Sequence, residues 1–215
     1  IATSDGTATT ADSDYVANPP SMLTFSGTSG ESFSYSVTIN GDVNLESDET
    51  FNVELSNVTP ALNVTTSDGV GTIQNDDTAV VTLTPVTGPT GSTAAEDVGS
   101  LTFLATLNIN VPGGTDVSFS TADGTALLAD FDYSAASSPL INFTGTAGET
   151  HLVTIPVTPD LKVESDETFT VMLDSATNGV TVNTAPVTGT ILNDDVAYVV
   201  VKQTDVVDST EAGPA

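Results

Sequence analysis

Shifted by 118 positions, residues 1–77 fall on residues 119–195 without a gap, and 33 of the 77 pairs are identical. Self-similarity on that scale marks a tandem array, in which one supersecondary unit is built and then repeated. Residues 79–196 make one complete unit, and residues 1–78 make a partial one with no counterpart of 79–118. Beyond it, residues 198–201 and 209–211 echo 80–83 and 94–96, so residues 197–215 read as the first strand of a third unit. The chain therefore reads as a stretch of a longer array, and its start at Ile1 fits a fragment or a processed chain.

Within the unit, the composition and the spacing of apolar residues point to strands. Thr, Val, Ser and Gly are plentiful, no window carries a sustained 3.6-residue period, and 38% of the residues are hydrophobic, enough to build a core despite the charge. Apolar residues alternate at Leu101, Phe103, Ala105, Leu107 and again at Val153, Ile155, Val157, with Tyr35, Val37, Ile39 following suit in the first copy. The pattern predicts strands A to G at 79–86, 100–109, 115–121, 139–145, 150–158, 167–174 and 186–193, with turns such as Gly145-Thr146-Ala147-Gly148 between them. Seven short strands in one such unit predict an all-β chain of tandem immunoglobulin-like seven-stranded sandwiches.

The charge says what such units handle. Against 29 acidic residues stand Lys162 and Lys202, with no arginine, for a net charge of -27. Nucleic acid and anionic membrane surfaces are excluded as partners, since both need Lys or Arg to neutralise phosphates. Membrane insertion is not expected, because no apolar run is long enough to span a bilayer. Without cysteine there is neither a disulfide framework nor a thiolate metal site.

Ten of the twelve acids in residues 1–77 recur in the second copy. If successive strands run up and down, the ends of A, C, E and G share one pole. That pole collects Glu96, then Asp123, Asp130 and Asp132, then Asp160, Glu164, Asp166 and Glu167, then Asp194 and Asp195. The first copy places Asp14, Asp42, Glu46, Glu49, Asp76 and Asp77 in the same way, with no counterpart of Glu96. Two carboxylates about 4 Å apart repel by roughly 4 kcal/mol at an effective dielectric near 20. Several together oppose much of a domain's net stability of about 5 to 15 kcal/mol, and a divalent cation relieves them. Oxygen-only donors favour Ca2+ over Mg2+, which dehydrates reluctantly; a single histidine, His151, serves zinc and copper poorly. Two plainer readings stay open: a polar turn ahead of each F strand, and acidity for solubility at high salt, which scatters charge over all faces.

Four blocks occur in order, twice: Gly-Thr-Ala with Asp-Tyr (Asp14-Tyr15, Asp132-Tyr133), a Gly-Glu turn (Gly30-Glu31, Gly148-Glu149), Glu-Ser-Asp-Glu-Thr-Phe, and Gly-Thr-Ile-x-Asn-Asp-Asp. This series resembles the Calx-beta domain over essentially the whole chain. The resemblance implies seven-stranded sandwiches that bind Ca2+ through loops at one end, as in sodium-calcium exchangers and large bacterial surface proteins. It implies ligands at Glu96, Asp132, Asp160, Glu164, Glu167, Asp194 and Asp195. Where the family often ends in three aspartates, this chain has Asn75 and Asn193 first.

The leading functional expectation is a calcium-binding structural module of an extracellular or cell-surface stalk, adhesin or fibre. Only Thr78 or Val196 separates each Asp-Asp pair from the next strand A, so an ion there stiffens a junction. The expected partners are neighbouring repeats. Other copies of the chain joined by strand exchange into a filament are a further possibility, because the partial units leave unpaired edges. Two alternatives remain: a recognition module for glycan, ice or protein, and a Ca2+ sensor. Enzyme activity is not expected, since the carboxylates crowd together without cleft-forming aromatics and neither Ser47 nor Ser165 has a base nearby.

Overall fold

The computed structural model describes residues 1–59, 63–135 and 140–202. Among them there is no α-helix, and no helix is long and apolar enough to cross a membrane. In the first copy, β1 (Ala2–Asp5), β2 (Glu49–Glu54) and β3 (Asp68–Ile73) form a three-stranded antiparallel sheet in that order. The strands that follow are β4 (Val80–Pro85), β5 (Thr93–Ala95), β6 (Ser100–Leu107), β7 (Thr115–Asp123), β8 (Leu140–Phe143), β9 (Thr150–Pro156), β10 (Glu167–Ala176), β11 (Thr181–Val182) and β12 (Val187–Leu192). They build a sandwich of two sheets, β5-β12-β10-β7-β8 and β11-β4-β6-β9.

The period-two pattern explains the layering. Along β6, Leu101, Phe103, Ala105 and Leu107 are buried, while the threonines and other residues between them are half-buried. Facing them from the other sheet are Val117, Phe119, Phe169, Val171 and Leu173, in one continuous core. Each large side chain so enclosed contributes about 1.5 to 3 kcal/mol, so the alternation fixes both register and face.

Strand A departs from expectation. It does not run as one element over 79–86 but changes sheets. After β4 pairs with β6, the chain turns through Gly88 and Gly91 and returns as β5, parallel to β12. A side chain at Gly91 would collide with the Val86 carbonyl, so the turn needs glycine there. A 3-10 turn, Glu96–Val98, follows at once, and this is what carries Glu96 to the end of β12.

The first copy differs more. β1, β2 and β3 match strands C, F and G, but residues 32–40, expected as strand E with Tyr35, Val37 and Ile39 inward, join no ladder beyond the single bridge Tyr15↔Ile39. Val37 packs on a small core of Ala8, Tyr15 and Phe51, Ile39 is 45% exposed, and the Tyr35 hydroxyl is buried without a partner. In the complete unit β9 pairs with β6, and no counterpart of β6 lies among the described residues to satisfy the backbone of 32–40. The same reason applies to residues 198–202. They form no strand, and Tyr198, Val199, Val200 and Val201 are each at least 80% exposed. Residues 209–211 lie outside the described residues.

Candidate metal centre

Each acidic pole is built on a tyrosine. Tyr133 is fully buried, stacks on Phe169 of β10 at 4.4 Å and donates its hydroxyl to Asp123 at 2.6 Å. Tyr15 repeats this, with Phe51 at 4.9 Å and Asp5 at 2.6 Å. The pinned ring holds the loop after the C strand, and the preceding acid is drawn against that loop: Asp132 accepts the Leu127 N–H at 2.8 Å and Asp14 the Thr9 N–H at 2.6 Å. Burial raises both phenols to about 12, helped by the hydrogen bond to Asp123 or Asp5.

The asparagine just ahead of each Asp-Asp pair has a bonding role. Asn193 accepts the Glu164 N–H at 2.8 Å and donates through Nδ2 to the Asp195 carbonyl at 3.0 Å. Asn75 joins Glu46 to Asp77 likewise, at 3.2 and 2.9 Å. A carboxylate accepts only and cannot close this clasp.

The side chains converge in three groups whose ligand atoms lie within 4.8 Å of one another: Glu96, Asp194 and Asp195; Asp132, Glu164 and Glu167; Asp14, Glu46 and Glu49. The first two groups belong to one pole, where Glu96, Asp132, Asp160, Glu164 and Glu167 line a single concavity. Asp42, Asp76 and Asp77 line the corresponding concavity of the first copy around Asp14, Glu46 and Glu49. Asp42, Asp76, Asp77 and Asp160 thus border the sites without entering a three-membered group among the described residues.

Other acids kept by both copies serve hydrogen bonds. Asp123 and Asp5 hold the tyrosines, and Asp166 and Asp48 accept the Asn193 and Asn75 amides at 3.1 and 3.0 Å. Asp130, placed at the pole by sequence, lies exposed and in no ligand group. Lys162 was not foreseen as part of the site. Its ammonium pairs with Glu164 at the position where the first copy has Asn44, and the only signal was its place between Asp160 and Glu164.

Proton affinities follow from this crowding. Burial, with Asp160, Asp195 and Asp194 nearby, pushes Glu96 up to about 7. Glu167 also rises to about 7, through burial and then its contact with Asp132. Glu49 is raised by burial and Asp14, Glu46 by burial and Asp42, and Asp195 by burial and Asp194. Glu149, in the β8–β9 turn, shows the contrast. Burial pushes it up, but the Thr144 and Gly145 N–H groups, the Thr144 hydroxyl and His151 outweigh that and bring it down to about 2. Glu149, supplied with donors, stays ionised, whereas no backbone N–H, hydroxyl or ammonium among the described residues donates to the carboxylates of Glu46, Glu49, Glu96 and Glu167.

One atom tests whether a cation fits. Asp195 Oδ2 is buried with no hydrogen-bond partner, beside Glu96 and Asp194. An orphaned carboxylate oxygen among like charges is costly, and a hard cation with oxygen ligands satisfies it.

The four sequence blocks now have their positions, and comparison with protein families bears on the whole arrangement. The Calx-beta domain model matches residues 1–84 and 88–203. The chain belongs to the Calx-beta domain family. Among solved structures, this Calx-beta chain is similar to the apo form of the Calx CBD1 domain, at 25% identity over 54% of this chain and 98% of that one, with a TM-score of 0.44. It is also similar to the calcium binding domain CBD12 of CALX1.1, at 27% identity over 48% and 42% of the two chains, with a TM-score of 0.42. Comparison with curated proteins finds no match.

Proposed function

We propose that the chain is a calcium-binding structural segment of an extracellular or cell-surface array, in which Ca2+ at each acidic pole stiffens the junction with the next unit. The observation that carries this reading is the pole of the complete unit, where Glu96 of one carboxylate group lines the same concavity as Asp132, Glu164 and Glu167 of the other, and Asp195 keeps a buried, unpartnered oxygen. Glu96, Asp194 and Asp195 would hold one ion and Asp132, Glu164 and Glu167 another, with Asp160 between them. In the first copy Asp14, Glu46 and Glu49 would hold a single ion. The all-oxygen donor set suits Ca2+, and the membership of the chain in the Calx-beta family supports the same ion. Thr78 alone separates Asp77 from the next unit, so charge neutralised at the pole is neutralised at the junction.

Thermal unfolding of the full chain in Ca2+, in chelator and in concentrated NaCl tests the proposal. An ion at about 100 times its dissociation constant adds about 2.7 kcal/mol per site, so Ca2+ is expected to raise Tm clearly over chelator. A rise with NaCl and none with Ca2+ would make the acidity a solubility device and remove the proposal.

A further inference from the structure

The loop that carries the acids of the first copy is also the part that touches the next unit. Asn44 and Asn110 face each other in a parallel bridge, the Leu45 N–H donates to the Asn110 carbonyl at 2.9 Å, and Asn110 Nδ2 donates to Asn44 Oδ1 at 2.8 Å. Asn110 is itself fixed, since its Oδ1 accepts the Ala147 N–H at 2.9 Å and so ties the β6–β7 turn to the β8–β9 turn. Leu45, half-buried, packs on the core of the complete unit, close enough to the β10–β11 turn that a Cβ on Gly179 would lie 3.7 Å from its Cδ2.

A second attachment lies at the linker. Asn108 accepts the Val80 N–H at 2.6 Å and donates to the Thr78 carbonyl at 3.2 Å, while Asn75 holds the Asp77 carbonyl from the other side. One tether at Thr78 leaves the units free to swing. Two attachments, one at the linker and one through the 42–46 loop, restrict that swing. The loop also shapes itself without an ion, because Asp42 accepts both the Asn44 N–H at 2.8 Å and the Asn44 Nδ2 at 3.0 Å, an Asx arrangement that presets the turn.

We infer that the 42–46 loop is a latch: Asn44 and Leu45 dock on the turn bearing Asn110 in the next unit of the same array and set the angle between units by direct protein contact, with or without a bound cation. The partner surface is the end of the sandwich opposite its acidic pole, and what it recognises is one amide pair and one leucine. This concerns the array and not its ion, so it stands or falls apart from calcium binding.

The chain has no cysteine, which gives a clean trap. In the full chain, Asn44→Cys with Asn110→Cys places two thiols across a bridge, within reach of a disulfide. The expected result is oxidation in chelator at a rate within about threefold of that in Ca2+, with Val163→Cys and Asn110→Cys, on opposite ends of one unit, staying reduced under the same conditions. A disulfide that forms only with Ca2+, or no faster than the control, overturns the latch. Leu45→Ala, which trims a half-buried side chain at the edge of the complete unit's core, is expected to broaden the distance distribution between spin labels on the two units in chelator and in Ca2+ alike; an unchanged width also overturns it. Calorimetric titration of the unmodified chain with Ca2+ is read separately, and absence of heat there would remove the calcium reading while leaving the trap result in force.

Discussion

The acidic poles of the two copies have the same carboxylates in the same loops, yet they are enclosed differently. In the complete unit, β5 lies along β12 and delivers Glu96 beside Asp194 and Asp195, making a second ligand group. In the first copy, Asp76 and Asp77 have no such neighbour among the described residues and stand only at the rim. Enclosure of the donors therefore depends on a strand from elsewhere in the unit, and residues 1–78 do not include the counterpart of that strand. The poles differ at a second place: Lys162 occupies the Asn44 position and puts an ammonium against Glu164, whereas Asn44 is engaged with the next unit.

Replacing Glu96 tests this contrast most severely. Glu96→Gln should remove the Asp194–Asp195 ion, lowering the stoichiometry in a calorimetric titration and weakening that site by about 100-fold or more, while the first-copy site is unchanged. Equal loss at both poles would end the distinction. Next in size is Asn193→Asp, which adds a charge but breaks the clasp to the Asp195 carbonyl. It should destabilise the chelated protein by about 1 to 3 kcal/mol, seen as a fall in Tm, where a simple ligand account expects only tighter binding.

The pH dependence is smaller and has a definite sign. Glu96 and Glu167 hold their protons up to about 7 in the folded protein, against 4.5 ordinarily. Between those values the folded state binds more protons than the unfolded state, so stability falls as pH rises. In chelator, Tm should therefore be higher near pH 5 than near pH 7.5, and Ca2+ should reduce or reverse that slope. The smallest effect is expected from Lys162→Asn. Its ammonium is exposed and its pairing with Glu164 is screened by solvent, so removing the competing ammonium should raise the affinity of the complete unit's site by only a few-fold.

Most of the sandwich could be read from alternation in the sequence, because burial on one face imposes a period of two that residues such as Leu101, Phe103 and Leu107 cannot hide. The sheet change of strand A could not. β5 is three residues long, too short to show a period, and its place is set by pairing with β12 nearly 100 residues away. Residues 32–40 present the opposite case: their alternation is that of a strand, but the partner it requires is not among the described residues. At the site, recurrence of acids in both copies was a sound guide to the pole and a poor guide to role. Asp5 and Asp48 are taken up by a tyrosine hydroxyl and a backbone amide, whereas Glu46 and Glu49 fall in a ligand group. Nor could sequence place Asn75 as a clasp, since that depends on the Asp77 carbonyl being turned toward it.

The parallel pairing of β5 with β12 has a mechanical consequence. The unit is entered at Thr78 through β4 and left at Val196 after β12, so a pull between those points passes from β4 to β5 and meets β12 across their parallel pairing. Strands drawn apart along their own direction load their hydrogen bonds in shear, where the bonds must give way together instead of peeling one by one. Glu96 and Asp194 stand just beyond that patch, and an ion shared between them would rivet the two strands under greatest load.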